Sequence, residues 1–310
     1  MHSVLSAAGV EAQSIQSHWW LMFWVTLVVT LVVLGGLGLA VARGLRAGAI
    51  GRSDRGLVTG ISLAIAVTVV ILFGLLIDSV ITSRVLASQR APGALEIEIM
   101  AQQWWWSVEY QHPEPEQRVR TANELHIPVG RPVSIKLLAN DVIHSFWVPA
   151  LNGKLDAIPG HESTLWIRAE HPGVYRGQCA EYCGAQHAHM AIVVVAESPE
   201  EFEKWIQAQR QTAHQPASDP ERRGLQLVQQ SACVMCHTIR GTAAGGRMGP
   251  DLTHLASRST IGAGILPRTP DHLEEWIRDP QRIKPGNRMP ALALPDRDRA
   301  AIVAYLEQLR

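Results

Sequence analysis

The chain has 310 residues, enough for two or three domains, and its 28 Lys and Arg balance its 28 Asp and Glu. That neutrality excludes a nucleic-acid or other polyanion binder, and four cysteines exclude a dense disulfide framework. Hydrophobic residues make up 47%, but the excess is concentrated in the first 80 residues.

No charged residue occurs between Glu11 and Arg43, and residues 19–42 form an apolar run. A second charge-free run covers 56–77. Each is long enough to cross a bilayer as a helix, so residues 1–90 are predicted to form a transmembrane hairpin with spans near 19–42 and 57–80. Trp19, Trp20 and Trp24 stand where an interfacial aromatic belt would lie, and His18 beside them reads as interfacial. The connection carries Arg43, Arg46, Arg52 and Arg55 against Asp54. The positive-inside rule therefore places it in the cytoplasm and both ends of the hairpin outside. No basic region precedes the first run, which reads as a retained anchor rather than a secretory signal.

From residue 91 the pattern changes. Leu95, Ile97 and Ile99 alternate with Glu96 and Glu98, and Val133, Ile135 and Leu137 alternate again. Such alternation predicts half-buried strands, and the Pro-Gly punctuation between them predicts a β-sandwich or barrel over 91–198. Trp104, Trp105 and Trp106 are consecutive, and on a strand they would face alternate sides, so not all three belong to the core.

The most informative stretch is 178–190, QCAEYCGAQHAHM. Cys179, Cys183, His187 and Met190 form a soft-ligand set, which selects copper over magnesium or calcium. Two thiolates can bridge two coppers, and a shared electron then arrives or leaves with little change of geometry. Such a centre needs a second imidazole, and His144 in DVIHSFWVP is the best candidate. A Cys179–Cys183 disulfide is the alternative, disfavoured by the company of His187, Met190 and His144. His189 fits no ligand slot.

Ser198, Pro199 and two acidic residues announce a helix, and a polar linker follows, so 199–219 joins two domains. CVMCH at 233–237 is a c-type haem attachment signal: Cys233 and Cys236 supply thioethers and His237 an iron ligand. No second Cys pair is present to complete a zinc site. Met289 in KPGNRMP is the preferred sixth ligand, with Met248 as competitor. The last helix should bury Ile302, Tyr305, Leu306 and Leu309 on one face.

The pattern CxExCGxxHxxM after DVIHSFWVP resembles the binuclear copper A site of cytochrome c oxidase subunit II, and residues 220–310 resemble a fused class I cytochrome c. The resemblance implies a cupredoxin-like all-β copper A domain at 91–198 and an all-α haem domain at 220–310. It implies two coppers bridged by Cys179 and Cys183, with His144 and His187 binding one each. Met190 would be a weak axial ligand to one copper and the main-chain oxygen of Glu181 would serve the other. The Glu181 side chain would reach magnesium at the interface with subunit I. Trp104 would be the surface residue through which electrons reach the copper, although Trp105 departs from the family's usual Tyr. Asp141 and Asp156 match positions near subunit I, and His161 stands where the family usually has Arg. The GPDL segment at 249–252 matches the family's loop below the haem, which favours Met289 over Met248.

The implied activity is that of an electron-transfer subunit: an external cytochrome c or cytochrome bc complex donates to the haem domain. Electrons then pass to copper A and on to a haem in subunit I, where oxygen reduction drives proton translocation. Subunits I and III and the lipid bilayer are the implied partners. A bacterial inner membrane, with the N-terminus and both C-terminal domains on the periplasmic face, is the implied location. A membrane-anchored di-copper and haem electron carrier outside any oxidase is the alternative. Residues 94–205 carry 8 Lys and Arg against 15 Asp and Glu, and residues 220–310 carry 13 against 9. Opposite net charges favour docking of one domain on the other.

Overall fold

The computed structural model describes residues 4–46, 54–87 and 92–310. The centre of the arginine-rich connection, with Arg52, and the expected domain boundary at 90 lie outside the described residues.

Two compact units result: residues 13–89, and residues 1–12 together with 90–310. The first unit holds most of α1 (Val10–Arg46) and all of α2 (Asp54–Ala87). Both helices are longer than the spans expected from the sequence, because charge-free runs mark only the apolar middle of each. Both are long and apolar enough to cross a membrane, and Val32, Leu34, Val70 and Leu72 lie exposed on them. Apolar surface exposed along a helix is what a lipid-facing helix presents. His18 on α1 and Asp78 on α2 pair at 2.5 Å, giving His18 a helix-pairing contact that the sequence did not suggest.

In the second unit, ten strands form two five-stranded sheets. They are β1 (Leu95–Gln102), β2 (Trp105–Tyr110), β3 (Val119–Ala122), β4 (Glu124–Pro128) and β5 (Val133–Ala139), then β6 (His144–Trp147), β7 (Leu155–Ala157), β8 (Ser163–Ile167), β9 (Gly173–Cys179) and β10 (Ala191–Glu197). The orders are β3-β2-β1-β5-β8 and β4-β10-β9-β6-β7. Ile97 and Ile99 turn inward with Ile135, Leu137, Trp106 and Phe146, as the alternation requires. Trp104 falls outside the strands, in the turn between β1 and β2, so only Trp105 and Trp106 obey strand alternation. The N-terminal tail, assigned by sequence to the hairpin, packs here instead. The amides of Ala8 and Gly9 donate to the Ala150 carbonyl, and the Glu11 carboxylate accepts from the Arg168 amide.

Beyond the sandwich, α3 (Pro199–Arg210) starts with a capping box of Ser198 and Glu201, and α4 (Asp219–Gln230) starts with one of Ser218 and Glu221. The single turn α5 (Cys233–Cys236) follows. A hairpin of β11 (Thr260–Ile261) and β12 (Leu266–Pro267) precedes α6 (Pro270–Arg278), α7 (Pro280–Ile283) and α8 (Asp296–Leu306). A second core gathers Val228, Leu273, Ile277, Ile302, Tyr305, Leu306 and Leu309. Helices α4 and α8 cross at Gly224, where a Cβ would stand 2.1 Å from the Ala301 carbonyl oxygen. Only glycine permits that approach.

Candidate metal centres

The sandwich topology assembles the first site. Strand β9 ends at Cys179, strand β10 begins at Ala191, and the intervening loop doubles back through a short 3-10 turn at His187–His189. Strand β6 pairs with β9, with Phe146 opposite Cys179, and this brings His144 to the loop. The Cys179 and Cys183 sulfurs lie 3.8 Å apart, and both residues are buried, as are His144 and Met190. Cys179 Sγ lies 3.9 Å from His144 Nδ1 and 3.2 Å from the Glu181 carbonyl oxygen. Cys183 Sγ lies 3.6 Å from His187 Nδ1 and 3.9 Å from Met190 Sδ. The ligand atoms of His144, Cys179 and Cys183 all fall within 4.8 Å of one another, while His187 approaches from the Cys183 side. The sulfurs are separate thiols, not a disulfide. Their mutual hydrogen bond holds Cys179 well below the usual thiol range and pushes Cys183 up. A thiolate is the metal-binding form of cysteine, so the pair is poised for a soft cation.

Behind His144 stands a residue the sequence reading had placed near a partner subunit. Asp141 Oδ1 lies 2.9 Å from His144 Nε2, leaving Nδ1 to face the thiols. Its carboxylate also accepts from the Gln103 and Val142 amides, each at 2.8 Å. Burial would lower the His144 pKa, but hydrogen bonds to Cys179 and Asp141 outweigh it and raise it. A carboxylate behind a ligating imidazole fixes its orientation and increases its basicity. The three-residue spacing of Asp141 and His144 is the only sequence signal for this role. His189 turns away from the sulfurs, with Nδ1 2.7 Å from Gln186 Oε1.

Trp104 was expected on the surface, but it is 8% exposed. Its indole N–H donates to the Cys183 carbonyl at 2.9 Å, and the Gln103 side chain donates to the same oxygen at 2.7 Å. The ring is therefore one hydrogen bond from the backbone of a thiol residue, and residues of the helical domain cover it from outside.

The second site lies on α5. Cys233 and Cys236, both free thiols and half-buried, stand at the two ends of one helical turn. His237 Nδ1 donates to the Pro250 carbonyl at 2.7 Å, which leaves Nε2 bare. Burial pushes the imidazole pKa down, keeping it neutral and able to ligate. Nearby, Arg258 is buried with an Nε that has no partner among the described residues, a donor left over for an anionic group on a cofactor. These residues fit a covalently attached haem. Met289 is half-buried and its backbone is pinned: its amide donates to Asn287 Oδ1 and its carbonyl accepts from Gln281, both at 2.8 Å. Met248 is 68% exposed.

A β-sandwich with a soft-ligand loop, followed by a small helical domain with a CxxCH turn, is the class of protein that the fold and sites define, and sequence comparison agrees. Residues 111–197 match the family model described as cytochrome c oxidase subunit II, periplasmic domain, and residues 221–310 match the cytochrome c model. The chain is 38% identical to cytochrome c oxidase subunit 2 of Alkalihalophilus pseudofirmus over 215 residues, covering 69% of this chain and 61% of that protein. It is 31% identical to the subunit 2 of Bacillus subtilis over 233 residues, covering 72% of this chain and 64% of that protein. The chain thus spans somewhat under two thirds of these relatives' length. Among solved structures, the periplasmic domain of subunit II of cytochrome oxidase from Bradyrhizobium japonicum is 31% identical, covering 39% of this chain and 97% of that one, with a TM-score of 0.36. The chain therefore carries a cytochrome c oxidase subunit II periplasmic domain followed by a cytochrome c domain. The first implies copper and the second a c-type haem.

Proposed function

We propose that this chain is subunit II of a haem-copper terminal oxidase. Its cytochrome c domain receives electrons from an external donor and hands them to the copper domain. The copper domain passes them to subunit I, where oxygen is reduced to water and protons are translocated. The observation that carries this reading is the ring of donors around two sulfurs 3.8 Å apart. Each thiol has its own imidazole, and each has one further weak donor: the Glu181 carbonyl beside Cys179 and the Met190 thioether beside Cys183. That is a donor set for two coppers rather than one.

In this reading Cys179, Cys183, His144 and His187, with the Glu181 carbonyl oxygen and the Met190 thioether, would hold the copper. Cys233 and Cys236 would attach the haem, and His237 and Met289 would ligate its iron. Bound, these groups supply the one-electron chemistry. The protein contributes geometry. Asp141 fixes the His144 ring, the sandwich core excludes water from the sulfurs, and the Trp104 indole ties the electron-receiving face to Cys183. The Glu181 side chain would be the one to meet magnesium at the subunit I interface. The hairpin anchors both domains outside a bacterial inner membrane, beside subunits I and III.

The test is metal analysis and low-temperature EPR on the purified full-length chain matured with haem and copper. Two coppers per haem with one electron shared over two nuclei is the expected result. A single blue copper, or none with a Cys179–Cys183 disulfide, refutes it. Co-purification with a large multi-span haem protein separates an oxidase subunit from a free-standing carrier.

A further inference from the structure

The loop that carries Met289 also carries Lys284, a residue that the sequence reading passed over. Its side chain is 3% exposed, in a class of residue almost never buried without partners. All three ammonium donors are used. Nζ donates to the Trp104 carbonyl at 2.8 Å, the His189 carbonyl at 2.7 Å and the Gly262 carbonyl at 2.8 Å. The first two acceptors belong to the copper domain and the third to the haem domain's own β11–β12 hairpin. Lys284 therefore closes a junction between two haem-domain loops and the copper loop.

The neighbours extend the junction. Gln186 Nε2 donates to the Pro285 carbonyl at 3.0 Å, and the Ala191 amide to the Ala263 carbonyl at 3.0 Å. Glu124 accepts from the Ser259 amide at 3.0 Å and from its hydroxyl at 2.5 Å. Arg288 reaches Asp141 at 3.3 Å. Gly286, at φ 83°, lies beside the six-membered ring of the Trp104 indole, where a Cβ would stand 3.4 Å from Cη2. The same contacts that fix the haem domain therefore cover the indole.

We propose that Lys284 is the positioning residue that seats the haem domain on the Trp104 face, and that this seating reserves the face for the tethered domain and closes it to a soluble electron donor. A soluble donor then has to meet the haem domain, not the copper domain. The meaning of the face for electron flow rests on the function proposed above; the seating itself does not. Removing the ammonium takes the donor from three carbonyls, that of buried Trp104 among them, and the seated-to-unseated ratio should fall about tenfold or more.

Hydroxyl-radical footprinting of the full-length chain, with and without its metals, reads the seating directly. In the unmodified protein Trp104 should be oxidised as slowly as the core residue Trp106, and the Ala191 amide should resist hydrogen exchange. In Lys284→Met, Trp104 should react several-fold faster while Trp106 stays protected. Ser259→Ala, at the far end of the junction, should move Trp104 the same way by less. A fast-reacting Trp104 in the unmodified chain, or an unchanged Trp104 in both variants, overturns the proposal. Should Lys284→Met fail to fold, the Ala191 amide in the unmodified protein and the Ser259→Ala footprint still decide. With copper and haem loaded, direct reduction of the copper domain by a soluble reduced cytochrome should be faster in Lys284→Met than in the unmodified chain; equal rates overturn the closure. Because the footprint is read on metal-free protein too, a failed copper assignment leaves the seating result intact.

Discussion

Asp141→Asn is the sharpest probe of the copper site, because it keeps shape and removes charge. The carboxylate lies 2.9 Å from His144 Nε2 and is itself fixed by two amide donors at 2.8 Å. Asparagine keeps one acceptor oxygen but loses the charge that favours the imidazole's basicity. Loss of such a partner behind a metal ligand typically costs about 10- to 100-fold in affinity, or ~1.4–2.7 kcal/mol. The assay is copper competition against a chelator of known affinity across pH. The His144 pKa is raised in the folded protein, so protons compete with copper as pH falls through that raised value. In Asp141→Asn this competition should begin at lower pH, while affinity at high pH drops. Copper affinity within twofold of the unmodified protein, with the same pH profile, would refute the argument.

Three further predictions follow from the same geometry. His126 lies 2.9 Å from Glu197 and 3.3 Å from Glu124, stacked on Trp205. Burial would lower the His126 pKa, but the two carboxylates leave it raised, while Glu124 is lowered against its own burial by its bonds to His126 and Ser259. The histidine's contribution is complete below its unfolded value near 6.5 and is lost as pH rises through the raised folded value. That of Glu124 is present above its unfolded value of 4.5 and is lost as pH falls through the lowered one. Thermal stability should therefore peak between these limits, and His126→Gln should flatten the alkaline decline; an unchanged slope in the variant refutes the assignment. Gly224→Val should destabilise the haem domain by about 3 kcal/mol, since the α4–α8 crossing has no room for a side chain. Calorimetry should show one transition shifted down and the copper-domain transition unmoved. Met289→Leu should lower the haem potential and abolish methionine ligation, whereas Met248→Leu should do neither; the reverse pattern in spectroelectrochemical titration would exchange their roles.

Much of the candidate chemistry was legible because its residues are close in sequence. The spacing of Cys179, Cys183, His187 and Met190 is a local pattern, as is CVMCH. The apolar spans and the buried face of α8 follow from composition and period. Asp141 lies only three residues from His144, but that spacing does not separate a support of His144 from a partner-facing carboxylate; the turn before β6 decides it. Other features came from residues far apart. Nothing in KPGNRMP shows that Lys284 reaches Trp104, 180 residues away. The N-terminal tail, too, looked featureless until its backbone was seen paired with Ala150 and Arg168.

Trp104 shows why the division falls where it does. Its role beside the copper loop was implied by the family resemblance of a short aromatic run, and the structure joins it to that loop through the Cys183 carbonyl. Its exposure is not legible in that run, because burial is a property of what packs against a side chain. Here that partner is a loop of another domain, held by three hydrogen bonds from one ammonium to carbonyls on both sides. Ligand chemistry and element type are written in neighbouring residues. Which face is open and which lysine is buried are set by contacts between distant segments, whose favourable terms appear only once the chain has folded.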